Sequence, residues 1–332
     1  MKKYSLVSLL SFLTLLLASC GTDSRHFKID GHLLNLNQGE FYVYSPDGSV
    51  THGMDTIKVQ AGRFSYLVEC DRPMTLMIVF PNFTEQPVFA EPGKSVDIKG
   101  NASHLKELTV KGTKANKLMN AFREQILSAS PAEIKKCAIQ MAEDNPESAV
   151  AVYLVRRYLL AVDSPDYTTA ARLLKLIVEK QPDNQLAARL LASCNGKTTL
   201  NNGSLPRFSA NDINGKVVNN ATLASVPNVV FYVWATWNYS STSQLRQLAD
   251  MERQSDGKLK VVSICLNPDK SSCQRTLKQY GADNITTICD GHMVNGDLFN
   301  KLGLYNLPDN ILIKNGAIVE QHIEFSKLIG ML

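Results

Sequence analysis

The stretch Val229-Val230-Phe231-Tyr232-Val233-Trp234-Ala235-Thr236-Trp237-Asn238-Tyr239-Ser240-Ser241 decides the fold of the C-terminal part of the chain. Its first five residues are an unbroken run of β-branched and aromatic side chains. Such a run reads as a strand covered on both faces. From about Ser241 to Gln254 the period changes, and Leu245, Leu248, Ala249 and Met251 fall on one face of a helix. A buried strand that feeds a helix through polar residues places Trp237 to Ser241 at the strand-to-helix turn.

The order continues on both sides of this stretch. Upstream, Asp212-Ile213-Asn214-Gly215-Lys216 reads as a hairpin turn. Downstream, Leu259 to Leu266 reads as a second buried strand, Cys273 to Tyr280 as a short helix and Ile285 to Cys289 as another strand. Leu298 to Leu302 reads as helical, and Lys314-Asn315-Gly316 joins a final pair of strands, Ile311-Leu312-Ile313 and Ile318-Val319-Glu320. The alternation argues an α/β domain with a central mixed sheet over residues 204–332.

Val229 to Trp237, ending in Trp-Ala-x-Trp, resembles the strand and active-site approach of membrane-anchored thioredoxin-like oxidoreductases. Leu307-Pro308 stands where that family keeps its cis-proline. The resemblance implies a thioredoxin-like fold. It does not carry the chemistry over. The family's Cys-x-x-Cys opens the helix, whereas here Asn238 takes the first cysteine position and Ser241 the second. Dithiol exchange needs a thiolate at a helix N-terminus and a second thiol to resolve the mixed disulfide. An amide and a hydroxyl supply neither. Tyr232 stands near where thioredoxin carries a buried acid, so a proton acceptor is missing as well. No catalytic residue is expected at the turn. Asn238 is expected to serve as a helix N-cap, with Ser240 or Ser241 as the alternative. The cleft formed by Trp237, Tyr239, Leu307 and Pro308 is expected to hold a peptide without reacting. The backbone of residue 307 would accept an added strand, and Trp237 and Tyr239 would supply flat apolar contact.

Seven cysteines occur, six of them after Cys20. None of the six forms a Cys-x-x-Cys or zinc-type spacing, and the six histidines are scattered, so no metal and no cofactor is expected. Cys70, Cys137 and Cys194 read as small buried apolar residues. Cys265, Cys273 and Cys289 fall at strand ends and a helix start near the turn. They read as free buried thiols, a structural disulfide, or a transposed redox pair. The last keeps a divergent thiol-disulfide oxidoreductase open as an alternative function.

Residues 27–113 read as a small all-β sandwich. Phe41-Tyr42-Val43-Tyr44 and Leu76-Met77-Ile78-Val79-Phe80 are strong strand formers, and Ile57, Val59, Phe64, Tyr66 and Val68 alternate with polar neighbours around Ala61-Gly62. Phe27-Lys28-Ile29-Asp30-Gly31, Asp55-Thr56-Ile57-Lys58-Val59 with Gly62-Arg63-Phe64, and Glu91-Pro92-Gly93-Lys94 resemble a β domain of unknown function that precedes thioredoxin-like domains in many Bacteroidetes-type lipoproteins. The resemblance implies a fold and no chemistry. Residues 114–195 read as a helical connector. Ser130-Pro131-Ala132-Glu133 has Ser at N-cap, Pro at N1 and Glu at N3. Residues 196–203 read as a polar linker.

At the other end of the chain, Lys2 and Lys3 precede an apolar run that stops at Leu17-Ala18-Ser19-Cys20. The run is shorter than the ~20 residues of a membrane span and reads as a signal peptide over residues 1–19. Leu-Ala-Ser-Cys resembles a bacterial lipobox. That implies cleavage before Cys20, acylation of its thiol by chains such as palmitate, and a tether over residues 20–26. Gly21 follows where an aspartate would signal inner-membrane retention. The expectation is a lipid-anchored protein of the cell envelope, on the outer membrane facing the periplasm. The 332 residues are 44% apolar and 20% charged, which excludes wholesale disorder. A net charge of +4, or +2 without Lys2 and Lys3, is too small to argue for nucleic acid. The leading functional expectation is non-catalytic binding of an exported protein or peptide. A structural part of a lipoprotein complex is a further alternative.

Overall fold

The computed structural model describes residues 23–46, 54–82, 84–162, 164–199, 203 and 205–332. The expected signal peptide, Cys20 and residues 200–202 of the expected linker lie outside these residues. Three regions follow one another.

The first holds eight strands: β1 (His26–Leu34), β2 (Gln38–Tyr44), β3 (Met54–Gln60), β4 (Arg63–Glu69), β5 (Met74–Val79), β6 (Glu85–Ala90), β7 (Ser95–Asn101) and β8 (Thr109–Lys111). β4 alternates strictly, with Phe64, Tyr66 and Val68 buried and their neighbours exposed. Gly62, at φ 72°, makes the tight β3–β4 turn. A Cβ there would lie 2.5 Å from the Leu33 carbonyl oxygen. The strands pair in the order β6-β5-β2-β3-β4-β1-β7-β8. This differs from the two separately paired sheets of a sandwich. β1 bonds to β4 antiparallel and to β7 parallel, which joins both halves into one sheet. The sheet curls around a single core that takes Phe27 and Ile29 from β1, Val88 from β6 and Val110 from β8.

The second region is helical: α1 (Lys114–Ile126), α2 (Pro131–Asp144), α3 (Ala149–Val155) running into a π-helical turn at Arg156–Leu160, α4 (Tyr167–Lys180) and α5 (Gln185–Thr199). The capping box at Ser130 and Glu133 forms as expected. The last helix extends to Thr199, beyond the expected end at 195, because Asn195 and Gly196 prolong a helix already packed along Ala187, Leu190 and Cys194.

The third region begins with the β9 (Ser209–Asn211) and β10 (Val217–Asn219) hairpin and the single turn α6 (Asn220–Leu223). The main elements follow in order: β11 (Asn228–Trp234), α7 (Tyr239–Gln254), β12 (Leu259–Cys265), α8 (Lys270–Gln279), β13 (Thr286–Ile288), α9 (Asp297–Lys301), β14 (Asp309–Lys314), β15 (Ala317–Gln321) and α10 (Phe325–Gly330). The sheet order is β13-β12-β11-β14-β15. β12 runs parallel to β11 and β13, while β14 is antiparallel to β11 and β15. This strand order, with helices on both faces, is that of a thioredoxin-like domain. β11 is its centre and divides its side chains between two cores. Val229, Phe231 and Val233 enter one, and Val230, Tyr232 and Trp234 enter the other. The first of these cores also takes Tyr44, Met77 and Val79 from the β region, so the two regions share an apolar interface. Among the described residues, no helix is long and apolar enough to cross a membrane.

Candidate functional site

The strand-to-helix turn sits where the central strand ends. Asn238 is the N-cap of α7, and its side-chain oxygen accepts the Ser241 N–H at 2.8 Å. Its Nδ2 donates to the Leu307 carbonyl at 3.4 Å. Ser241 is fully buried, and its hydroxyl donates to the Asn238 carbonyl at 2.8 Å and accepts the Ala235 N–H at 3.2 Å. The two positions that would carry a dithiol therefore serve as a cap and as a tie across the turn. The Tyr232 hydroxyl donates toward the Ser241 carbonyl (3.1 Å) and Gln244 Oε1 (2.8 Å), and burial pushes its pKa well up. No acid takes its place beneath the turn.

Leu307–Pro308 is a cis bond, and its loop faces the turn through the Asn238 contact. The acid that follows, Asp309, organises this loop. Its Oδ2 accepts the N–H groups of Tyr305 (2.9 Å) and Asn306 (3.0 Å). Its Oδ1 accepts the Asn310 N–H at 2.9 Å and lies 2.7 Å from His322 Nδ1. Both side chains are 1% exposed. The His322 ring stacks on Tyr305 with centroids 4.3 Å apart, and its backbone takes φ 52°, a left-handed value held by donation to the Asn310 carbonyl at 2.8 Å. The sequence reading passed over this pair. The available signal was an acid two residues before the buried run Ile311-Leu312-Ile313, since a carboxylate there must be paired.

Trp237 does not lie on an open surface, which corrects the expectation that its ring contacts a bound chain. It is 4% exposed and packs on Tyr44 of the β region, centroids 6.1 Å apart. The cause is the shared apolar core between the two regions, which claims the indole as a structural wedge. Trp237→Ala is therefore expected to open a cavity at this boundary and cost about 3 kcal/mol, read as a lower urea midpoint in equilibrium unfolding. Tyr239, by contrast, is 63% exposed at the start of α7.

A cleft of about 1180 Å³ opens beside the turn. The thioredoxin-like domain contributes Asn238, Ser240, Leu307 and Pro308, the β region Met77 and Pro87, and the helical region Arg123, Tyr153, Arg156 and Arg157. Arg123 is nine-tenths buried, yet it donates only to neutral acceptors, Asn120 Oδ1 at 3.0 Å and the Pro87 carbonyl at 3.3 Å. Arg156 Nε donates to the Tyr305 carbonyl at 3.2 Å, and Arg157 lies over the Tyr158 ring at 5.8 Å. A guanidinium has five donors, so these side chains retain hydrogen-bonding capacity toward carbonyl or carboxylate oxygens. Glu85, Asp309 and Glu324 line the same cleft.

Cys265, Cys273 and Cys289 do converge. Their sulfurs all lie within 4.8 Å of one another, and all six cysteines of the described residues are free thiols. The three are 2%, 0% and 2% exposed. Burial pushes the Cys265 thiol well up. S–H donation from Cys265, then Cys273, holds Cys289 below the usual thiol range, with the Gly291 backbone assisting. Thiol exchange with a protein substrate requires a sulfur that the substrate's disulfide can reach, and this cluster offers none at its surface.

Residues 27–119 match the family described as Domain of unknown function (DUF4369). No curated protein matches the chain. Similar solved structures include a thioredoxin-like protein from Bacteroides caccae (14% identity, 59% of this chain, 76% of that chain, TM-score 0.41). A thiol-disulfide oxidoreductase from Bacteroides fragilis is 18% identical over 39% of this chain and 100% of that chain, TM-score 0.35. A thioredoxin-like protein from Parabacteroides distasonis is 23% identical over 32% of this chain and 79% of that chain, TM-score 0.29. The DUF4369 match covers the β region and the first residues of α1, and the C-terminal domain lies outside it.

Proposed function

We propose that this chain is a lipid-anchored envelope protein whose thioredoxin-like domain holds an exported polypeptide without exchanging disulfides. The observation that carries the reading is the cleft beside Asn238 and Leu307-Pro308, walled by all three regions. Its apolar side chains suit an unfolded segment, and its arginines offer donors to backbone carbonyls or acidic side chains. The turn beside it has no thiol at either dithiol position. Binding therefore draws on exposed Tyr239 and the cleft walls, with Trp237 acting only as support.

A fluorescently labelled, reduced and alkylated secreted protein should bind the natural chain saturably. Ser240 is exposed at the cleft edge, and Ser240→Trp should fill the entrance and weaken binding at least tenfold. Unchanged affinity in that variant would place the binding elsewhere.

The anchor follows from the Leu17-Ala18-Ser19-Cys20 boundary. Cys20 is the acylated residue, and the protein sits on the outer membrane facing the periplasm. Cys20→Ala should abolish labelling by a fatty-acid analogue and leave an uncleaved or mislocalised precursor. Label retained on the alanine variant would contradict this anchor.

A further inference from the structure

The buried sulfur cluster lies outside the proposed cleft and rests on separate observations. Cys265 ends β12, Cys273 lies in α8 just after its cap Asp269, and Cys289 follows β13. Cys265 Sγ lies 3.4 Å from Asn267 Oδ1, and Cys289 Sγ lies 3.5 Å from the Asn267 carbonyl. The loops after the two strands roof the cluster and touch. Gly291 takes φ 78°, and a Cβ there would meet the Pro268 carbonyl oxygen at 2.9 Å. Below, the cluster shares its core with Trp234 and Leu277.

We propose that Cys265, Cys273 and Cys289 form a three-sulfur site for a soft monovalent metal ion, with Cu(I) as the fitting member. The ligand set selects the class. Thiolates prefer soft ions such as Cu(I), Zn(II) and iron–sulfur clusters. Zinc takes four ligands in structural sites, or three and a water in open ones. Among the described residues, no histidine, carboxylate or fourth cysteine joins the group. His292, three residues after Cys289, is exposed and is not part of it. The three cysteines are almost wholly shielded from solvent. Three sulfurs without a fourth donor match the low coordination numbers of Cu(I).

Size agrees. Metal–sulfur bonds of about 2.3 Å in a trigonal array place the sulfurs about 4.0 Å apart. The sulfurs here all lie within 4.8 Å of one another, within about 1 Å of that spacing. Each thiol that becomes a thiolate ligand releases one proton to solvent, and the ion's own charge offsets one negative charge in the core. Asp269 and His292 at the roof are exposed, which makes the path from the surface short.

The test uses the reduced mature chain under anaerobic conditions, titrated with Cu(I) against a chromogenic Cu(I) chelator. One equivalent should be withheld from the chelator. X-ray absorption should show a sulfur-only shell of about three neighbours, and thermal unfolding should move to higher temperature, since the ion binds the folded state. Cys273→Ser should lose that equivalent. The absorption spectrum of the natural protein is a readout independent of how well that variant folds. No copper withheld, a shell with nitrogen or oxygen neighbours, or zinc held as tightly as Cu(I) would each overturn the assignment. None of these outcomes bears on polypeptide binding in the cleft.

Discussion

Asn238→Cys combined with Ser241→Cys is expected to create a disulfide reductase. The natural protein should leave insulin disulfides intact under dithiothreitol, while the double variant should precipitate reduced insulin well above the uncatalysed rate. The physical basis is the start of α7. Residue 238 caps a 16-residue helix, so a thiolate there would face the unpaired N–H groups and positive end of the helix dipole. That environment lowers a cysteine pKa and raises the thiolate fraction at neutral pH. Residue 241 lies one turn on and is fully buried, which suits a resolving thiol shielded from bulk oxidants. The substitution also removes the Asn238 cap and its contact with Leu307, at a cost of about 1 kcal/mol. The domain should absorb this loss because β11 is covered on both faces and α7 packs along Leu245, Leu248 and Ala249. The single variants should stay inactive in turnover, since one thiol forms a mixed disulfide and cannot resolve it. Robust insulin reduction by the natural chain would contradict the absence of dithiol chemistry at this turn.

Asp309→Ala should be the most destabilising single change near the site, by about 3–5 kcal/mol. The carboxylate satisfies three backbone N–H groups and the His322 ring, all in a nearly dry pocket. Its removal orphans those donors at once, and buried donors left unpaired carry their full desolvation cost. Asp309→Asn is the informative companion. An amide keeps one acceptor oxygen for one or two of the N–H groups and lacks the second oxygen that the carboxylate presents. It should retain roughly half of the lost stability. Urea unfolding of the three proteins measures this, and equal midpoints would show that the pair has no structural role. Because the loop between Tyr305 and Asp309 presents Leu307 and Pro308 to the cleft, ligand affinity should fall with stability in the alanine variant.

How much of this was legible in the sequence depends on whether local pattern or long-range contact sets the outcome. β11 and α7 were readable because a run buried on both faces and a 3.6-residue stripe are each local. The cap at Asn238 and the capping box at Ser130 and Glu133 were readable for the same reason. The single curled sheet of the β region was not. Strand signals mark β1 and β7, but nothing local says that they pair in parallel and close two halves into one sheet. Trp237 shows the limit most clearly. An aromatic next to a polar turn reads as surface, whereas here it joins a core shared with Tyr44, Met77 and Val79 of the β region. Asp309 and His322 are 13 residues apart and meet because β14 and β15 are antiparallel neighbours. The three cysteines were grouped by their places at strand ends. Their convergence to within 4.8 Å follows from parallel β12 and β13 ending on the same edge with α8 laid over them.

The most direct test presents the same unfolded secreted chain in two forms, one with its disulfides intact and one reduced and alkylated. Affinity for the natural protein and the thiol state of both partners are then measured together. Both forms should bind equally and saturably. The disulfides of the first should remain unreduced, and no mixed disulfide should be trapped. Binding confined to the disulfide-bearing form, with a covalent adduct to any of Cys265, Cys273 or Cys289, would contradict binding without disulfide exchange.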